Sequence, residues 1–240
     1  MVKTKLSVNI NKIATLRNAR GHNNPNVVAW AEKIESFGAE GITVHPRPDE
    51  RHIKYQDVYE LKNTVTTEFN IEGYPTDDFC RMVLEVKPTQ VTLVPDEPGQ
   101  LTSDHGWNTQ KHLEFLINII TKFKDAGIRT SIFLDPDPEL ILSASKTGTD
   151  RIELYTESYA KAFGTLKEDE VLNQFANTAH LAKEHHLGIN AGHDLDLLNL
   201  SKFNQAIPNL LEVSIGHALI CDALEMGMPK TVEAYLKALE

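Results

Sequence analysis

Cysteine is almost missing from this chain: only Cys80 and Cys221 occur in 240 residues. They are too few and too far apart for a disulfide framework or a Cys-rich zinc site, and both are expected to be buried packing residues. Long apolar runs are missing too, so no stretch reads as a membrane span. The first residues, MVKTKLSVNINKIATLRNARG, lack the apolar core and small-residue cleavage site of a secretory signal. A cytoplasmic protein without a membrane partner is the expectation. Positive charge is also in short supply, with 24 Lys and Arg against 34 Asp and Glu and a formal net charge of -10. An acidic field does not attract nucleic acid or an anionic membrane surface, so neither is expected as a partner.

Two motifs are absent as well. No Gly-rich phosphate fingerprint follows the first strand-like run, where NINKIATL stands, which weakens a doubly wound open sheet. That run also lacks a close His-x-His pair. A metal-dependent barrel hydrolase, drawing ligands from His45, His52, Glu72, His193 and His217, is weakened for that reason.

What is present is an alternation. Eight strand-like runs, LSVNI, GITVH, EFNIE, QVTLV, RTSIFLD, RIELY, GINAG and EVSIG, are each followed by a helical pattern. Leu113, Leu116, Ile117 and Ile120 have the spacing of one helix face, and Gly38, Gly127, Gly148 and Gly188 are placed to close helices with a left-handed cap. The 41% apolar content is ample for a core. With no linker or composition break, the pattern predicts an α/β fold: a single-domain (β/α)8 barrel over residues 1–240.

The strands also alternate in polarity. Val8 and Ile10 oppose Asn9 and Asn11, Ile42 and Val44 oppose Thr43 and His45, and Phe69 and Ile71 oppose Asn70 and Glu72; Glu153 and Ser214 continue the polar set. Side chains two apart share a face. If the apolar set meets the helices, the polar set lines the barrel axis.

This parity locates the chemistry. GITVHPRPDERHI ends a strand at His45 and places Arg47, Arg51 and His52 on the loop beyond it, at the carboxyl rim where barrel enzymes build their sites. Glu72 ends the third strand, where partial desolvation raises a carboxyl pKa and suits it to proton exchange; pairing with Arg47 is the structural alternative. Glu153 is inward but mid-strand, a second charge or a salt-bridge partner. NAGHDL and SIGHAL repeat a Gly-His pair after strands seven and eight, the usual phosphate position of this fold. PDEPGQLTSDHGW, after the fourth strand, is long enough for a lid. His112, His180, His185 and His186 read as surface or packing residues.

Taken in order, VNI with IATLRNARG, GITVH with Arg47 and RHI, Glu72, LVP with Thr102, IEL, NAGH and IGHALI closely resemble the pyridoxine 5′-phosphate synthase family along essentially the whole chain. The resemblance implies a (β/α)8 barrel with extra helices, assembled as a homo-octamer. It implies condensation of 3-amino-2-oxopropyl phosphate with 1-deoxy-D-xylulose 5-phosphate to pyridoxine 5′-phosphate, phosphate and water, a transferase-class reaction of vitamin B6 biosynthesis. Carried over by position, proton transfer falls to His45, Glu72 and His193, and charge stabilisation to Glu153. Asn9, Arg20, His193, Gly216 and His217 would hold the aminoketone phosphate, and Arg47, His52 and Thr102 the deoxyxylulose phosphate. This sequence departs from the family pattern at Asn11, where an acid is common, at Lys12, where a histidine is common, and at Asp194, where a glycine is common; all three are expected to touch substrate. The imine forms between the two substrates, so no metal and no organic cofactor is expected.

Overall fold

The computed structural model describes residues 3–96 and 103–240. Eight strands, β1 (Lys5–Asn9), β2 (Gly41–Val44), β3 (Glu68–Gly73), β4 (Gln90–Leu93), β5 (Arg129–Leu134), β6 (Arg151–Tyr155), β7 (Gly188–Gly192) and β8 (Leu210–Ile215), form a closed barrel in sequence order. Every neighbouring pair is parallel, and β8 pairs with β1 to close the ring. Among the described residues the helices are α1 (Asn11–Asn18), α2 (Val27–Ser36), α3 (Tyr55–Leu61), α4 (Asp77–Val86), α5 (Leu113–Asp125), α6 (Pro138–Lys146), α7 (Glu157–Ala162), α8 (Glu168–Glu184), α9 (Leu200–Ala206), α10 (His217–Met226) and α11 (Met228–Ala238). The expected barrel with extra helices is what the chain forms, the extras being second helices after β1, β6 and β8.

The alternation sorts as expected. Val8, Ile42, Val44, Ile71, Ile152, Leu154, Val213 and Ile215 are fully buried in the main core against the helices. The opposite set points inward and bonds to itself: Ser7 to Thr43 at 2.7 Å, Asn70 to Thr43 at 3.3 Å, and Thr92 to Asn70 at 3.1 Å. Some bonds join strands that are not neighbours, among them those from Asn190 on β7 to Gln90 on β4 and from Ser214 on β8 to Glu72 on β3, both 3.4 Å. Only side chains directed into the lumen can meet in that way. The amino-terminal end of the barrel is closed by charge, with Glu68 bonded to Lys5 and Arg129, and Glu212 3.5 Å from Arg151. Buried charges persist where they are paired, so this end reads as structure and the opposite end as the open mouth.

Some local expectations are corrected. Gly38, Gly127 and Gly148 have left-handed φ angles of 107°, 78° and 80°. Gly188 does not; the left-handed residue there is His186, at φ 59°. Gly188 instead opens β7, where a Cβ would lie 2.8 Å from Arg151 Cγ and 2.9 Å from Leu211 Cδ1. On α5 the core stripe is Leu116, Ile119, Ile120 and Phe123, one step round from the predicted face. Cys80, on α4, is half-buried; Cys221 is exposed, on a helix, α10, that buries only Leu219.

Candidate active site

The mouth is built where β1, β2, β3, β6, β7 and β8 end. Glu72, on β3, is 9% exposed. Its Oε2 accepts from Asn9 Nδ2 at 3.4 Å and lies 4.0 Å from His45 Nδ1; its Oε1 accepts from Ser214 at 3.4 Å. Burial raises its pKa to about 7, with the charges of Asp96 and Glu212 adding to the rise while His193 and the Ser214 bond oppose it. A carboxyl poised there holds and releases a proton with equal ease near neutrality.

The other titratable groups are driven apart. His45 is held well below the ordinary imidazole range by burial and then by the charges of Arg47, His52 and Arg51. His52 is lowered to about 4 by burial, Arg47 and Lys12. His52 Nδ1 accepts the Ile53 N–H at 2.9 Å, so the ring proton of the uncharged imidazole sits on Nε2. Glu153 is pushed well above the carboxylate range by burial and by the charges of Glu72 and Glu212. Its protonated form is thereby favoured.

Gly192 owes its identity to Glu153. A Cβ there would lie 2.5 Å from Glu153 Oε1 and 2.8 Å from the Ser214 carbonyl oxygen, so the glycine of NAGH makes room for the acid. Gly216 is similarly crowded by Asn9, whose Cβ would be 3.0 Å away. Asn11 works on the backbone: its Oδ1 accepts from the His45 N–H at 2.9 Å, and its own N–H donates to Asn9 Oδ1 at 3.1 Å. The first residue of α1 thus fixes the end of β2.

Not every expected residue is gathered here. His45, Glu72, Glu153, Asn9, Asn11, His193 and Asp194 meet at the mouth, with Arg47, His52 and Lys12 on its rim. His217 begins α10 beside Gly216, exposed, with Cys221 Sγ 3.7 Å from its Nε2. Arg20 lies exposed, two residues beyond the end of α1. Thr102 lies outside the described residues, as does the middle of the proposed lid. The described ends of that segment are anchored: Ser103 donates to Asp96 at 2.7 Å, and buried Trp107 donates from Nε1 to the Leu93 carbonyl at 3.0 Å and stacks on Tyr74.

Sequence reasoning missed Asp96, which binds Arg47 and whose Oδ1 is buried with no partner among the described residues. It also missed an aromatic wall: Phe133 and Tyr155, with ring centroids 5.1 Å apart, form a small apolar cluster with Val94 inside the mouth, and Tyr155 meets the His193 ring edge-on at 5.3 Å. Inward parity of position 155 with Glu153 was the available signal. A cavity of about 170 Å³ opens beside this site, lined in part by His45, Arg47, Tyr55, Tyr74 and Asp96. Among the described residues, no three His, Cys, Asp or Glu side chains are grouped as a metal ion needs.

The family profile described as "Pyridoxal phosphate biosynthesis protein PdxJ" matches residues 6–240. The chain belongs to this family. It is 60% identical over 237 residues to the pyridoxine 5′-phosphate synthase of Christiangramia forsetii, covering 99% of this chain and 100% of the relative. It is 57% identical to that of Bacteroides thetaiotaomicron, covering 98% and 99%. Solved structures at far lower identity share the barrel alone. Tryptophan synthase from M. tuberculosis aligns with a TM-score of 0.67 at 10% identity, over 99% of this chain and 94% of that one. N-(5′-phosphoribosyl)anthranilate isomerase from Pyrococcus furiosus aligns with 0.60 at 12%, over 98% of each. For a PdxJ-family chain, a site made of proton donors, proton acceptors and cations, with an aromatic wall, suits the building of a heteroaromatic ring from phosphorylated precursors.

Proposed function

We propose that this chain condenses 3-amino-2-oxopropyl phosphate with 1-deoxy-D-xylulose 5-phosphate into pyridoxine 5′-phosphate, phosphate and water by general acid-base catalysis. The observation that carries the reading is Glu72, buried between Asn9, Ser214 and His45 with a pKa of about 7, in a chain of the PdxJ family. The substrate amine attacks the other substrate's ketone, and loss of water leaves an imine joining the two. Glu72 and His193 move protons through imine formation, enolisation and elimination of the deoxyxylulose phosphate group. Glu72 and His45 then serve ring closure, loss of water and aromatisation. Glu153, buried beside Glu72, supplies the carboxyl that stabilises cationic imine character as it develops beside it.

The same reading assigns the phosphates. Asn9, Arg20, His193, Gly216 and His217 take the aminoketone phosphate; Arg47, His52, Thr102 and Lys12 take the other. A phosphate reaching Arg47 competes with Asp96 for its guanidinium. A homo-octamer in the cytoplasm, each chain one domain, completes the proposal; exposed Leu16 on α1 and Leu224 and Met226 on α10 are apolar surface that self-association would cover. Incubating the purified protein with both substrates should yield pyridoxine 5′-phosphate, and with either alone nothing. No turnover of the pair would instead favour a binding protein on the same scaffold.

Two further results are expected. Activity should survive exhaustive chelation, and loss that one divalent metal restores would revive the hydrolase reading. Lys12, exposed at the start of α1, lies close enough for its charge to lower the His52 pKa, which suits a point-charge clamp on phosphate. Lys12→Ala should mainly raise the KM for a phosphorylated substrate, while Lys12→Arg retains substantial activity. Borohydride with deoxyxylulose phosphate alone should leave the protein mass unchanged, and a reduced adduct on Lys12 would show an enzyme imine instead.

A further inference from the structure

His193 stands in a turn that an L-residue rarely adopts, at φ 95°. Such a conformation is strained and persists where its surroundings impose it. Thr156, fully buried after β6, imposes it from one side: its Oγ1 donates to the Gly192 carbonyl at 2.7 Å and accepts from the Asp194 N–H at 3.3 Å. Asn199 holds the other side, donating from Nδ2 to the Asp194 carbonyl at 3.2 Å. The outcome is a fixed placement of two neighbouring side chains, with Asp194 Oδ2 2.7 Å from His193 Nδ1.

From this geometry we infer that Asp194 is a positioning residue for the reaction, holding the His193 proton on Nδ1 so that Nε2 is the nitrogen that exchanges protons with substrate. A carboxylate accepts and never donates when ionised, so the nitrogen facing it carries the hydrogen in both the neutral and the charged imidazole. Proton traffic then passes through Nε2. A histidine's second nitrogen sets the tautomer of the first, and the same division of labour underlies histidine-carboxylate pairs on unrelated folds.

The alternative role, direct contact with a phosphate, fits Asp194 poorly. Its negative charge would repel the group, and its carboxylate already has a partner. The charged environment agrees with positioning. Asp194 in the same turn, Glu72 from β3 and Asp96 from the loop after β4 supply negative charge around His193. Tyr155 packs on the ring from β6, and His45 on β2 is near enough to be influenced by its charge. Burial disfavours the imidazolium, yet the Asp194 bond and these charges outweigh it and raise the His193 pKa. His193 therefore enters the cycle able to act as an acid, while Glu72 can serve as the base.

The inference rests on the proposed condensation for its kinetic consequence but not for its geometry, and the test separates the two. Nitrogen-15 histidine labelling of the unsubstituted protein should show neutral His193 carrying its proton on Nδ1; the Nε2–H tautomer would overturn the inference without any substitution. In Asp194→Asn, the His193 titration midpoint should fall and the tautomer mixture should change. The alkaline limb of kcat should move to lower pH, and kcat should drop by about 10-fold or more, the lower end of the scale for carboxylates that orient metal-ligating histidines, with KM for both substrates little altered. An unchanged midpoint and tautomer in the variant would refute positioning. So would a raised KM with kcat intact, which would place Asp194 on the substrate. Failure of the unsubstituted protein to turn over the two substrates would sink the proposed function, while the labelling result would still decide the role of Asp194.

Discussion

Glu72→Gln should lower turnover by on the order of 10²-fold or more, the usual scale for a general acid-base group, while substrate affinity changes little. Glutamine keeps the shape and can still accept from one of the two donors, Asn9 and Ser214, that hold the carboxyl. It cannot exchange a proton. The parent's kcat/KM should show a limb near pH 7, because Glu72, with a pKa of about 7, is protonated below that point and available as a base above it. The variant should lose that limb. Steady-state kinetics across pH check both statements, and parent-like turnover in the variant would make Glu72 a structural acid.

Arg17→Met should cost about 3–5 kcal/mol of folding stability, the range for breaking one side of a buried ion pair. Arg17 and Asp57 are 7% and 6% exposed, and their bidentate pair, with one bond at 2.8 Å, joins α1 to α3. Removing the guanidinium leaves a buried carboxylate whose remaining donor is the Lys54 N–H, at 2.8 Å. It also frees the rim, because Arg17 Nη2 donates to the His52 carbonyl at 3.1 Å, beside an Asn18 bond to the same oxygen at 2.8 Å. Denaturant unfolding should therefore show a lower midpoint, and adding Asp57→Leu should restore part of the loss, since an apolar replacement of the pair removes the stranded charge. A midpoint equal to the parent's would show the pair to be energetically neutral.

Much of the barrel could be read directly from the chain because its signals are local. A strand's side chains alternate faces by backbone geometry alone, so the parity of Asn70 with Glu72 and of Thr43 with His45 put the polar set in the lumen before any contact was known. The same rule reached Glu153. It did not reach the reason for Gly192, because the space that glycine vacates is filled by an acid on another strand. The glycine-cap rule misplaced the cap at Gly188 because a histidine, His186, adopts the left-handed conformation that glycine usually supplies. Arg17 and Asp57 passed unnoticed for a similar reason: they are 40 residues apart, and nothing in either neighbourhood announces the other.

The sequence by itself therefore determined the eight-fold alternation, the polar lumen, the rim positions of His45, Glu72 and His193, and the family. All of these follow from periodicity and from ordered motifs along the chain. Only the tertiary structure decided how these groups hold their protons. The carboxyl of Glu72 is governed by burial and by His193, Ser214, Asp96 and Glu212, which arrive from other strands and loops. The imidazole of His193 is governed by burial and by Asp194 in a turn that Thr156 and Asn199 keep in place. Proton affinity depends on desolvation and on charges within a few ångströms, and those distances exist only after the barrel has closed.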